Sequence, residues 1–277
     1  MGNRESLSDS PHDLVQIYLD ALTAPLPRRE SLPDLQALPK DGPTILLFSP
    51  HPDDEIITGA LPLRLRREQQ ARVINVAVTL GSREDRREAR KEELRRACDV
   101  VGFENHLLGW KQITPDAKRN EPDRWQSCVI EVTELIRSTA PTLVLLPHAL
   151  DGHPAHVGVH LLVQEALTKI EAPSRWVVET EFWHPNREPN CLLESSAEDV
   201  AILITALSEH VGEIERNPYH RLLPAWMLDN TRRGAERISG AGALVPDFHF
   251  STLYRIHVPQ GREMPPMLDR QSPFPIL

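Results

Sequence analysis

Residues 44–56 read TILLFSPHPDDEI, and the fold class follows from how this stretch divides. Its first six residues are an apolar run between Pro43 and Pro50. An uninterrupted apolar run closed by turn residues is the pattern of a strand buried on both faces. Residues 54–70 then take helical character and end in the charged RLRREQQ.

The same unit recurs along the chain. RVINVAVTL is a second buried strand closed by Gly81, and REDRREARKEELRRACDVVGF follows as a long amphipathic helix. Ala89, Leu94, Ala97, Cys98 and Val101 fall on its apolar side, and its Arg/Glu run reads as a solvated face with i,i+4 pairs. NHLLGW, TLVLLP, RWVVETEFW and FSTLYRIHV are further strands, with helices expected over 125–139, 156–170, 196–210 and 221–238. Strands alternating with helices predict a single-domain, Rossmann-like α/β fold: a mostly parallel sheet with helices on both faces. The expected organisation is an N-terminal helix and proline-rich arm (1–42), one main domain (43–258) and an irregular tail (259–277). In the arm, Leu14, Ile17, Tyr18 and Leu22 share one helical face before proline becomes too frequent for a helix.

Composition narrows the function classes. The net charge of −9 argues against a general affinity for nucleic acid or an anionic membrane. Three widely spaced cysteines, Cys98, Cys128 and Cys191, do not make a disulfide framework and fit a reducing compartment. The first 40 residues hold no apolar run suited to a signal peptide or a membrane span, so a cytoplasmic protein is expected. MGNRES matches the short myristoylation pattern, but one acyl chain anchors only marginally.

Two loops carry the chemistry, and each follows a strand. Ligands of open α/β sheets bind outside the carboxyl ends of the strands, so loops at that edge converge and the active site is expected there. TILLFS delivers PHPDDE, and TLVLLP delivers HALDGHPAHVGVH. His51 and Asp54 stand i,i+3, a spacing from which imidazole and carboxylate can share Zn²⁺ or another divalent transition metal. Pro52 shapes the turn, and Asp53 is a spare carboxylate beside the metal, placed to take a proton from water. The bland alternative is that Asp53 to Glu55 only start a helix. In the second loop His153, His156 and His160 recur at i,i+3,i+7. A hydrolytic zinc site wants three protein ligands and an open position, and one of these histidines completes it. Spacing leaves the choice open, with His160 the best candidate for a purely structural role.

PHPDDE followed by DGHPAH resembles the LmbE-like, or PIG-L, family of de-N-acetylases. The resemblance covers most of residues 43–257 and extends to RKEELRRACDVVGF, TRRGAERISG and STLYRIH. It implies that His51, Asp54 and His156 hold zinc, that Asp53 is the general base, and that His153 steadies the tetrahedral intermediate. The expected substrate is a small molecule, an N-acetylglucosamine-type sugar or its glycoconjugate; Fe²⁺ could occupy the same ligands. The departures lie around the site. The family usually reads H-P-D-H where this chain has Ala155, so His153 loses an acid that would tune it unless another substitutes. Arg83, after the second strand, and Asp116, after the third, are the candidate substrate contacts. His210 resembles a family H-x-S-Q position without its Ser and Gln and reads as structural, while Glu55 is left to helix-start electrostatics. Two other readings compete: a metal-dependent hydrolase of a different amide or ester, and a catalytically decayed carbohydrate-binding member of the fold.

Overall fold

Where the apolar runs fall, strands form. They are β1 (Thr44–Ser49), β2 (Arg72–Thr79), β3 (Glu104–Trp110), β4 (Leu143–Pro147), β5 (Trp176–Thr180), β6 (Cys191–Ser195), β7 (Phe250–His257) and β8 (Met267–Asp269). The computed structural model describes residues 10–23, 37–39, 42–170, 175–258 and 267–269. Most of the proline-rich arm, the MGNRES start and most of the expected tail lie outside these residues. Two compact units divide the chain, Met1–Pro33 and Asp34–Leu277. In the first, α1 (Pro11–Thr23) forms over the expected apolar face, with Pro11 and Asp13 in a first turn that suits both.

In the second unit the strand order is β3-β2-β1-β4-β5-β7-β6-β8. β1 to β5 pair in parallel with one another, β7 runs antiparallel to β5 and β6, and β8 pairs parallel with β6. The sheet is therefore mostly parallel, as expected. β6 was not legible as a strand, and the tail expected to be irregular contributes β8. CLLES is only five residues long and ends in Glu and Ser, so its strand identity comes from pairing with β7.

Helices cover both faces, and the short α5 (Pro115–Asn120) packs against the two helices that follow it. Leu46, Phe48, Val76, Val78, Val144 and Leu146 pack on Trp125, Val129 and Val132 of α6 (Pro122–Thr139) and Val159, Leu162 and Val163 of α7 (Pro154–Thr168). The alternate residues Ile45, Leu47, Leu143 and Leu145 are equally buried. There, α3 (Ala60–Glu68), α4 (Arg87–Val101), α8 (Ala197–Leu207) and α10 (Tyr219–Ser239) pack on one another and on the sheet. Each fully buried Leu or Ile contributes roughly 1.5–3 kcal/mol, which makes this double-sided core the main stabilising term.

The first helical segment is broken, because α2 (Asp54–Ile57) ends before α3 begins. Gly59 joins them at φ 89°, and a Cβ there would strike Thr252 and Tyr254. The Tyr254 hydroxyl donates to Thr58 O at 2.8 Å and accepts from Leu61 N at 3.3 Å, satisfying groups the break leaves open.

In α4 the charged face is not wholly solvated. Ala89 is exposed, whereas Arg90 and Glu93 are buried with Leu94, Ala97, Cys98 and Val101. Arg95–Asp99 is an exposed i,i+4 pair of the expected kind, and Glu88–Lys91 and Glu92–Arg95 are exposed pairs at i,i+3. Arg90 instead meets Glu213, and Glu93 meets Arg86. Buried charges persist when they are paired; Glu213 comes from a distant segment and Arg86 from the N-cap of α4 itself, and no i,i+4 pattern reveals either.

Candidate active site

β1 and β4 are neighbours at the point where the strand order reverses, and the loops after them meet there. The first is anchored on β2: Thr79 donates to Pro50 O through its backbone at 3.2 Å and its hydroxyl at 2.8 Å. The chain then turns sharply. Asp53 has φ 110°, a conformation that costs a non-glycine residue about 1–3 kcal/mol. Such strain persists only where the surroundings hold it. Asp53 N donates to Glu55 Oε2 at 2.9 Å, and His51 N donates to Asp54 Oδ2 at 2.8 Å.

The second loop starts α7. His153 is its N-cap, with Nδ1 accepting the Ala155 N–H at 3.2 Å, and Pro154 occupies the first turn. Imidazole nitrogens of His51, His153 and His156 all lie within 4.8 Å of one another and could hold a metal ion. Asp54 Oδ2 lies 3.3 Å from both His51 Nδ1 and His156 Nε2. Both ring nitrogens of His156 are buried without a hydrogen bond of good geometry, which is what a ring prepared for a cation would show. Oxygen and imidazole donors in this number suit a divalent transition metal.

Asp151, which sequence reasoning missed, is fully buried behind the histidines. Its Oδ1 lies 3.1 Å from His156 Nδ1 and accepts from His153 N at 3.4 Å, while Oδ2 accepts from Trp183 N at 3.1 Å. A carboxylate behind a ligating histidine fixes its ring and tautomer. An acid two positions before the first histidine of DGHPAH was the available signal.

Charge within the site follows from burial and these neighbours. Burial, then Asp54, Glu55 and Glu213, push the Asp53 carboxyl well above its usual range, with Arg90 opposing. Burial would raise Asp54 too, but His156 and His51 hold it below the ordinary carboxylate range. For His156, burial is outweighed by Asp54 and Asp151, and its pKa rises to about 10. His153 is lowered by burial and by His51 and His156.

A cavity of about 340 Å³ opens over these groups. His51, Asp53, Asp54, His153, Arg90 and Glu213 border it on one side. Phe182 and Trp183 follow β5, while Tyr219, Leu222, Leu223 and Trp226, at i,i+3,i+4,i+7 of α10, make an apolar wall. Trp183 is 58% exposed and stacks on His153 with centroids 5.9 Å apart. Gly81, at φ 75°, is where Arg90 reaches through: a Cβ there would occupy the guanidinium.

The substrate candidates lie elsewhere. Arg83 is largely exposed and paired with Asp85, Asp116 is exposed and paired with Arg119, and neither borders the cavity. Arg90 is the arginine that the second strand's end brings to it. His160 lies in neither the histidine group nor the cavity wall, and its Nδ1 is 2.9 Å from Pro147 O. Among the described residues no helix is long and apolar enough to cross a membrane.

Residues 46–167 match the family model PIG-L, described as GlcNAc-PI de-N-acetylase. The PIG-L segment runs from β1 to α7 and so contains both histidine loops. A search of curated proteins found no match to the chain. Among solved structures, the conserved protein TT1542 from Thermus thermophilus aligns at TM-score 0.59 and 15% identity, covering 82% of this chain and 99% of that one. GalB, the 4-carboxy-2-hydroxymuconate hydratase of Pseudomonas putida KT2440, aligns at 0.58 and 17%, covering 80% and 99%. The N,N'-diacetylchitobiose deacetylase of Pyrococcus horikoshii aligns at 0.55 and 14%, covering 90% and 93%. At these identities the structural likeness establishes the fold, while the PIG-L match points to deacetylase chemistry.

Proposed function

We propose that the chain is a metal-dependent hydrolase that removes the acetyl group from an N-acetylated amino sugar of the N-acetylglucosamine type, free or in a glycoconjugate. The observation that carries this reading is the meeting of PHPDDE and DGHPAH at one cavity, inside the segment that matches a de-N-acetylase family.

The ligand set we assign is His51, Asp54 and His156. The alternative triad replaces Asp54 by His153, and the hydrogen bond at α7 argues against it. Because His153 Nδ1 accepts from Ala155 N, its proton sits on Nε2, which is then a donor rather than a metal ligand. A divalent ion such as Zn²⁺, or Fe²⁺ on the same donors, would acidify water and polarise the acetamide carbonyl.

The remaining work belongs to the chain. Asp53 accepts the proton of the attacking water, and burial among other acids makes it the stronger base for this. It returns that proton to the amide nitrogen as the C–N bond breaks, releasing acetate and the free amine. His153 Nε2–H donates to the carbonyl oxygen as charge develops there. A neutral imidazole suffices, which accommodates Ala155 where the family has an acid. The open face of Trp183, beside His153, suits stacking of the sugar ring.

The test is acetate release from N-acetylglucosaminides with a range of aglycones by the metal-loaded protein, with a chelated control. Release that needs metal supports the reading. A hydratase shares the fold, so a different addition of water is the second reading. It would be favoured if no acetylated sugar or other acyl substrate were turned over and an unsaturated acid were hydrated.

A further inference from the structure

Glu55 and His210 are fully buried, stand 155 residues apart in sequence, and contact each other through His210 Nε2 and Glu55 Oε1 at 2.6 Å. Neither borders the cavity, so neither touches substrate. The other oxygen, Glu55 Oε2, accepts the Asp53 N–H. A carboxylate only accepts, so the His210 Nε2 carries the proton, and its tautomer is set. His210 Nδ1 is buried without a hydrogen-bond partner among the described residues. Leaving that nitrogen unpaired in the interior costs desolvation free energy, against which stands the short contact of the other nitrogen with Glu55.

We propose that His210 and Glu55 are positioning residues that hold Asp53 in its φ 110° turn, so that its carboxylate faces the cavity. A non-glycine residue leaves that conformation unless something fixes it. The fixing contact is the Glu55 oxygen on the Asp53 amide, and His210 fixes Glu55. His210 also begins α9 (Val211–Ile214), whose Glu213 borders the same cavity beside Arg90. The pair thus ties the first histidine loop to the segment that closes the site from the far end of the chain. This rests on the assignment of Asp53 as the base, but the backbone it describes can be measured without any substrate.

The experiment compares the full-length protein with His210→Ala and His210→Gln, which keeps a donor. In the segment 50–54 two residues are proline, so hydrogen exchange there reports only His51, Asp53 and Asp54. His210→Ala is expected to speed exchange in this segment while other strands stay protected. Its kcat is expected to fall about 10- to 100-fold with KM and bound metal unchanged, since a shift near 1 Å costs that much. His210→Gln is expected to recover most of both. Unchanged exchange and kcat in His210→Ala would overturn the proposal. So would faster exchange throughout the protein with no recovery in His210→Gln, because that marks a purely structural residue. If wild type turns over no acetylated sugar, the proposed reaction fails, and the exchange data still decide the positioning role.

Discussion

Replacing Asp53 by Asn should inactivate the protein and stabilise its metal-free form, and the two effects share one cause. The Asp53 carboxyl is raised by burial, then by Asp54, Glu55 and Glu213, with Arg90 the opposing charge. Its folded-state pKa therefore lies above the unfolded value of about 3.9. Between those two values the native state binds more protons than the unfolded state, so stability falls as pH rises. Asn has the same shape and tolerates a positive φ as well as Asp does, so the backbone strain cancels and the charge effect remains. Asn keeps the polar group and removes only its charge, so the gain above the folded-state pKa is about 1.4 kcal/mol for each unit by which that pKa exceeds the unfolded value. For a chain of this size that corresponds to about 2–4 °C in Tm per kcal/mol. Urea unfolding of chelator-treated wild type and D53N from pH 4 to 8, followed by circular dichroism, measures it. The gain should shrink as pH falls and be small near pH 4, where the native carboxyl is protonated and the unfolded one about half protonated. Turnover should drop by about 10²- to 10⁴-fold, the usual contribution of a general base. A variant less stable than wild type at pH 8, or a gain independent of pH, would refute the reasoning.

Three further outcomes follow from the same geometry. The His156 pKa of about 10 means the ring is protonated at pH 7.5, so metal uptake through Nε2 should release about one proton per ion; calorimetric titration in buffers of different ionisation enthalpy would count it. Asp151→Asn should lower metal affinity about 10- to 100-fold without unfolding the protein, because Asp151 lies 3.1 Å from His156 Nδ1; competition with a chromogenic chelator would read this. At Glu165 burial is outweighed by hydrogen bonds from Lys118, Trp125 and Gln126, which lower its pKa to about 2. This depressed pKa contributes stability that is full above the unfolded value near 4.3 and is lost as pH falls through about 2. Wild type should therefore outlast Glu165→Gln in urea at pH 6 and match it near pH 2.

The candidate site was partly legible because two of its loops are local. His51, Asp53 and Asp54 lie within four residues, as do His153 and His156, and each group follows an apolar run that had to be a strand. Residues spread over several elements left no such trace. Tyr219, Leu222, Leu223 and Trp226 form a helical stripe indistinguishable in sequence from one that faces a core. Arg90 and Glu93 sit in a charged run whose exposed members look the same. Arg83 was the nearer arginine to the second strand's end, yet it turns to solvent while Arg90, a helical turn into α4, reaches the cavity.

By itself the sequence determined that strands and helices alternate, that the sheet is mostly parallel, and that PHPDDE and DGHPAH emerge at its carboxyl edge. Those facts depend on periodicity and turn chemistry within a few residues, which the order of the chain records directly. Only the tertiary structure decided which charges are buried, that Asp151 backs His156, and that Glu55, first read as a helix-start acid, meets His210 155 residues away. The physical reason is that a buried polar group needs a partner wherever the fold brings one, and its sequence neighbours carry no mark of that partner.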